Sequence, residues 1–154
     1  MIYRVVFDCN TLLQAMASPR GPAGECVQLA FDHKAELFIS PFIISELRDV
    51  ASRPRVTKKL RLSDESIHAF ICAIEAAATL FADVPEVFVY RRDPDDAPYV
   101  NLALAAGATL IVSRDRDLLD LMDAAFPESR DFHLRFPRLE IVTPVAFLQK
   151  SILS

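Results

Sequence analysis

Tyr3-Arg4-Val5-Val6-Phe7-Asp8 begins as an apolar run and stops at a carboxylate. Val5, Val6 and Phe7 are continuously apolar rather than alternating, the pattern of a strand covered on both faces, as in parallel sheets packed between helices. A second run, Leu110-Ile111-Val112-Ser113, reads the same way, and Asp115 stands just beyond it. Strand-like runs at 3–7, 36–40, 86–90, 109–113 and 139–142 are separated by helical patterns at about 10–17, 22–33, 41–52, 63–81, 96–106, 117–124 and 144–150. Strands interleaved with helices predict an α/β chain on a parallel or mostly parallel sheet. Ser63 with Asp64 and Glu65 opens one helix, Gly107 closes another, and Thr143-Pro144 starts the last. From 124 to 138 the order breaks around Pro127, His133 and Pro137, so an irregular excursion is expected there.

A chain of 154 residues fits a single domain over 1–154, with length enough for a substantial core. Its 52% hydrophobic and 25% charged residues exclude a disordered chain. No apolar run approaches the length of a membrane span, and Met1-Ile2-Tyr3-Arg4 lacks the regions of a signal peptide, so the expected address is cytoplasmic with no membrane partner. Cys9, Cys26 and Cys72 form no CxxC and read as thiols in a reducing compartment. With only Gly21, Gly24 and Gly107 as glycines, the chain has neither a P-loop nor a GxGxxG fingerprint.

Four acids, Asp8, Glu46, Asp96 and Asp115, carry the chemistry. Asp8 and Asp115 lie past the carboxyl ends of strands, where open α/β sheets bind ligands. At about 100° per residue from Ile43, the apolar residues Val50, Leu47, Ala51 and Ile44 share an arc, and Glu46 falls at roughly 300°, beside Val50 rather than among Arg48, Ser52, Ser45 and Asp49. Tyr99, Val100, Ala103 and Gly107 follow Asp96 at helical spacing, so Asp96 heads an apolar stripe. Buried carboxylates are costly unless paired, hydrogen-bonded or metal-bound, and several converging in one crevice repel one another unless a cation intervenes. An all-oxygen set suits Mg²⁺ or Mn²⁺, while His33, His68 and His133 are isolated and offer no zinc site. Each acid also has a plainer reading: Asp8, Asp96 and Asp115 as helix caps, Glu46 as one half of an ion pair.

Between Arg53 and Arg61 the chain carries Arg53, Arg55, Lys58, Lys59 and Arg61 and no acid, against a net charge of −4 overall. That excess reads either as phosphate contact or as a solvated helix and turn.

Taken in order, Val5-Val6-Phe7-Asp8-Cys9-Asn10-Thr11-Leu12, Ser40-Pro41-Phe42-Ile43-Ile44-Ser45-Glu46-Leu47, Asp93-Pro94-Asp95-Asp96 and Ala106-Gly107-Ala108-Thr109-Leu110-Ile111-Val112-Ser113-Arg114-Asp115-Arg116-Asp117-Leu118-Leu119 resemble a PIN domain, over nearly the whole chain. The resemblance implies a three-layer α/β/α sandwich on a central, mostly parallel sheet of about five strands. It also implies a metal-dependent endoribonuclease of single-stranded RNA, in which Asp8, Glu46, Asp96 and Asp115 hold one or two Mg²⁺ or Mn²⁺ ions and Asn10, Ser113 and Asp117 support them. The chain is similar to the small PIN proteins that are toxins of toxin–antitoxin pairs, which implies a cognate antitoxin as partner beside the RNA substrate; a homodimer is an assembly this reading allows. Arg55, Lys58, Lys59, Arg61 and Arg114 are the candidate RNA contacts. Departures are Cys9 where Thr or Ser is usual, Ala97 where Asn is common, and Arg114 where Gly is common; Arg114 could contact phosphate or pair with Asp117 or Asp120. A haloacid-dehalogenase-like phosphatase also starts with a strand ending in aspartate, but its second aspartate would fall at Asn10. The remaining alternative is a PIN-like module that binds RNA or protein without cutting.

Overall fold

The structure, a computed structural model, describes residues 2–153. Its strands are β1 (Tyr3–Phe7), β2 (Ala35–Ile39), β3 (Thr79–Leu80), β4 (Leu110–Val112) and β5 (Glu140–Val142). They form one sheet in the order β3-β2-β1-β4-β5 with every pairing parallel. The helices are α1 (Cys9–Ala17), α2 (Pro22–Phe31), α3 (Pro41–Ala51), α4 (Pro54–Leu60), α5 (Asp64–Ala77), α6 (Ala97–Ala106), α7 (Arg116–Leu119), α8 (Pro127–Arg135) and α9 (Pro144–Leu153), with single 3₁₀ turns at Pro94–Asp96 and Asp120–Met122.

Side chains on β1 point alternately to the two faces, and their partners show what covers each. Tyr3 and Phe7 meet the ring of Phe147 on α9, at centroid distances of 5.7 and 6.2 Å. Arg4, on the other face, donates to the carbonyls of Ala106 (2.6 Å) and Gly107 (3.3 Å) at the end of α6. The result is the α/β/α sandwich, and Val5, Val6 and Phe7 are buried because both faces are occupied. Gly107 sits at φ 67°, the left-handed conformation that ends α6 and that side chains resist.

From β1 the chain builds outward through β2 to β3, then returns along α6 to place β4 and β5 on the other side of β1. This reversal makes the carboxyl ends of β1 and β4 the switch point of the sheet, where α/β folds open a crevice. Register pairs Phe7 with Val112, and Asp8 N donates to Val112 O at 3.2 Å, so Asp8 and Ser113 emerge side by side.

Three expectations need correction. Residues 86–90 are not a strand; β3 comes instead from Thr79–Leu80, which the helical pattern had absorbed, because α5 stops at Ala77. The alternation at 86–90 is real, with Phe88 and Tyr90 buried and Val87 and Val89 exposed. Its backbone is satisfied by a side chain rather than by a strand: Asn101 on α6 accepts from Val87 N (3.0 Å) and Phe88 N (2.7 Å) and donates to Phe88 O (3.0 Å). Within 124–138 there is a helix, α8, with Pro127 in its first turn and Phe132 buried against Phe88 at 5.4 Å between centroids. The pattern at 117–124 shortens to α7 followed by a 3₁₀ turn. No helix among the described residues is long and apolar enough to cross a membrane.

Candidate metal centre

Asp8 leaves β1 and caps α1: its Oδ1 accepts from Thr11 N at 2.8 Å, and its Oδ2 accepts from the Ser113 hydroxyl. Ser113 Oγ accepts in turn from Asp115 N at 2.8 Å, so one buried hydroxyl joins the two strand ends. Asp115 Oδ1 accepts from Asp117 N at 3.0 Å and caps α7. Asp96 ends the 3₁₀ turn that opens α6, and Asp93 holds that turn by accepting from Asp95 N at 3.1 Å. Glu46, half-buried on α3, accepts from the Tyr99 hydroxyl, whose oxygen accepts from Cys9 N at 3.1 Å. On α3, Ile43, Ile44, Leu47 and Ala51 are buried and Ser45, Arg48, Asp49 and Ser52 exposed, which leaves Glu46 at the boundary its helical angle predicts.

Asp8, Glu46, Asp96 and Asp115 therefore line one cleft of about 190 Å³, with Asn10 and Asp93 at the same walls. The closest grouping of oxygens is different in membership: Asp93, Asp96, Asp115 and Asp117 each present one within 4.8 Å of the others. Asp93 lay outside the expected ligand set, and Asp117 was expected only as support. The run Asp93-Pro94-Asp95-Asp96 contained the signal for Asp93, but its role as a turn cap is equally visible there.

Arg92 has no sequence signal that would have marked it. Its Nε lies 2.7 Å from Asp117 Oδ1, its Nη2 pairs with Asp120, and its guanidinium covers the Phe126 ring at 4.9 Å. Arg92 thus makes the pairs considered for Arg114. Arg114 is exposed, has no ion pair among the described residues, and lines a separate cavity of about 270 Å³ that shares Asn10 with the acid cleft. Arg55, Lys58, Lys59 and Arg61 are exposed on and just after α4 and do not line the cleft. Arg53, paired with Asp49 at 2.9 Å, lines a cavity beside it together with Glu46 and Asp95.

Burial dominates the electrostatics. It pushes the Asp96 carboxyl up to about 9, with a side-chain hydrogen bond to Asp115 and the charge of that residue adding to the rise. Asp8 is also raised by burial, although hydrogen bonds from Ser113 and Thr11 oppose the shift. Glu46 is raised by burial against the opposing Tyr99 hydrogen bond. The Cys9 thiol is pushed up to about 12 by burial and by Glu46, so it stays protonated and is no nucleophile. Asp96 Oδ2 is buried with no hydrogen-bond partner among the described residues. An orphaned buried carboxylate oxygen, in a set containing neither histidine nor thiolate, fits a hard divalent cation.

The family whose sequence model matches is the PIN domain, over residues 4–117. That span runs from β1 to Asp117 and contains every acid of the cleft. An uncharacterized protein of Methanocaldococcus jannaschii is 26% identical over 147 residues, covering 96% of this chain and 90% of that protein. A match over more than half of the chain, on the sheet order and acid cleft described above, leads to one conclusion: the chain belongs to the PIN domain family, a family of nucleases.

Proposed function

We propose that this nuclease is a Mg²⁺- or Mn²⁺-dependent endoribonuclease of single-stranded RNA, and that it acts as the toxin of a cytoplasmic toxin–antitoxin pair. The observation that carries the metal reading is the buried, unpartnered Asp96 Oδ2 in a cleft where burial raises the pKa of Asp8, Glu46 and Asp96. Asp8 and Asp96 are the proposed central ligands, with Glu46 and Asp115 completing the site and Asp93 and Asp117 close enough to share in it. When bound, the cation would acidify water and neutralise charge on the phosphate.

The chain's own contribution is orientation. Thr11 and Ser113 aim the Asp8 carboxylate, Tyr99 aims Glu46, and Arg92 holds Asp117, so the acids are arranged before substrate arrives. Hydrolysis in this reading needs no covalent intermediate, consistent with the protonated Cys9. Family membership and Asn10 together disfavour the phosphatase alternative. Arg114, which has no ion pair among the described residues and lines the cavity that shares Asn10 with the cleft, supports a phosphate contact there; the basic residues of α4 would meet only RNA that extends past α3.

The test is cleavage of an end-labelled unstructured RNA. Mg²⁺ or Mn²⁺ should support internal cuts, EDTA should abolish them, and Asp8→Asn and Asp96→Asn should be inactive while retaining the native circular dichroism spectrum. EDTA-resistant cutting would overturn the metal reading. RNA binding without cutting under any metal would favour the non-cleaving module.

A further inference from the structure

Phe42 is an exposed aromatic that lines the cavity next to the acid cleft. It occupies the first turn of α3, one turn before Glu46, so the two side chains are neighbours on one helix face. Phe42 is 41% exposed, and its ring meets that of Tyr99 edge to face, with centroids 6.4 Å apart and planes at 74°. Tyr99 is the residue that holds Glu46, so the ring is backed by part of the site's framework.

On the far side of Phe42 lies a groove of about 360 Å³ whose walls are mostly apolar, among them Val84, Pro94, Ala97 and Pro98, and also carry Ser40 and Glu86. Its one deeply buried amide, Asn101, is already engaged with the backbone of Val87 and Phe88. The groove is separated from the acid cleft by one intervening cavity that shares wall residues with both. Phe42 lines both the groove and that cavity, which contains Glu46 and Asp95, and those two residues also line the cleft. A largely apolar groove whose one charged wall residue is the acid Glu86 will not take a phosphate, and a cleft of carboxylates will not take a bare base. Together they match the two halves of a nucleotide.

We infer that the Phe42 groove is a base-binding subsite, in which an unpaired nucleobase next to the scissile phosphate stacks on Phe42. This rests on the single-stranded ribonuclease reading and extends it. Every base has a stackable face, so the subsite would select unpaired over paired RNA without demanding a sequence. A base in a duplex is stacked and paired already and could not enter. A protein segment is the other conceivable occupant, but the chain of shared wall residues that leads from the groove through Phe42, Glu46 and Asp95 to the acid cleft favours substrate.

The experiment measures affinity of a fluorescent unstructured RNA octamer by anisotropy with Mg²⁺ present, in an Asp8→Asn background so that the RNA stays intact. Phe42→Ala should weaken binding about 5- to 150-fold, the range for loss of one base stack, and Phe42→Tyr should restore it. Single abasic sites placed along the octamer should reveal one position where the abasic loss and the Phe42→Ala loss do not add. Mn²⁺ affinity, read by electron paramagnetic resonance on protein that keeps Asp8, should be the same with and without the Phe42→Ala substitution, which separates stacking from damage to Glu46. Unchanged RNA affinity, additive losses at every position, or loss of Mn²⁺ affinity equal to the loss of RNA affinity would each overturn the subsite. If Phe42→Ala leaves RNA binding intact but abolishes binding of a protein partner, the groove belongs to that partner and the inference fails. Should Phe42→Ala cut and bind RNA like wild type, only this inference falls; if wild type neither binds nor cuts RNA, the ribonuclease reading falls with it.

Discussion

Asp96 concentrates the conflict on which the site depends. Its folded pKa of about 9 lies above the ordinary 3.8, so the folded state holds a proton that the unfolded state releases. Stability from this group is fully present below the unfolded value and is lost as pH rises toward about 9; the raised Asp8 and Glu46 act in the same direction. Metal-free protein should therefore melt at progressively lower temperature across that window, and Asp96→Asn should flatten the decline. Mg²⁺ should raise the melting temperature of wild type by mass action and do so much less for Asp96→Asn. Circular dichroism melts with and without EDTA read both effects, and a pH-independent melting temperature would count against the buried-acid account. The four acids were legible as a group because each stood at a strand end or on an apolar helix face. Arg92 was not, since nothing local distinguishes an arginine that folds back onto Asp117 and Asp120 from one in solvent.

At the scale of elements, the segment 86–90 is the instructive case. Apolar alternation reports which side chains are buried, not which group satisfies the backbone. Here a single amide on α6 replaces a neighbouring strand, and the segment it anchors leads directly to Arg92 and Asp93. Replacing that amide by an apolar group of similar size leaves the buried Phe88 N–H and C=O unsatisfied. Asn101→Leu should thus destabilise the fold by about 1–3 kcal/mol, measured by urea unfolding. It should also speed hydrogen exchange at the Phe88 amide; unaltered exchange would mean that water or another strand holds the segment. The boundary between α5 and β3 was hidden for a related reason. Two residues of edge strand leave too little pattern to interrupt a long helical periodicity, and the pairing of Leu80 with Ile39 is non-local.

Across the whole molecule, the cleft draws its acids from the end of β1, from α3, from the turn before α6 and from the turn after β4. A free cleft of this kind invites cationic company, so an inhibitory partner would be expected to insert arginine or lysine. If the chain is a toxin, its expression alone should arrest bacterial growth, Asp8→Asn should relieve the arrest, and a neighbouring antitoxin should reverse it. Equal toxicity of the inactive variant, or harmless expression of soluble nuclease-active wild type, would defeat the toxin reading and leave the nuclease reading intact. The α/β class and four acids of the cleft could be read from the chain because burial on both faces, helical spacing and strand-end position are recorded locally in side-chain type and order. The choice of Thr79–Leu80 as the edge strand, the clamp by Asn101, the grouping of the Asp93 and Asp117 oxygens with those of Asp96 and Asp115 and the contact of Phe42 with Tyr99 all depend on distances between residues far apart in the chain. Such distances exist only once the parallel sheet has set its strand order and register, and no periodicity along the chain encodes them.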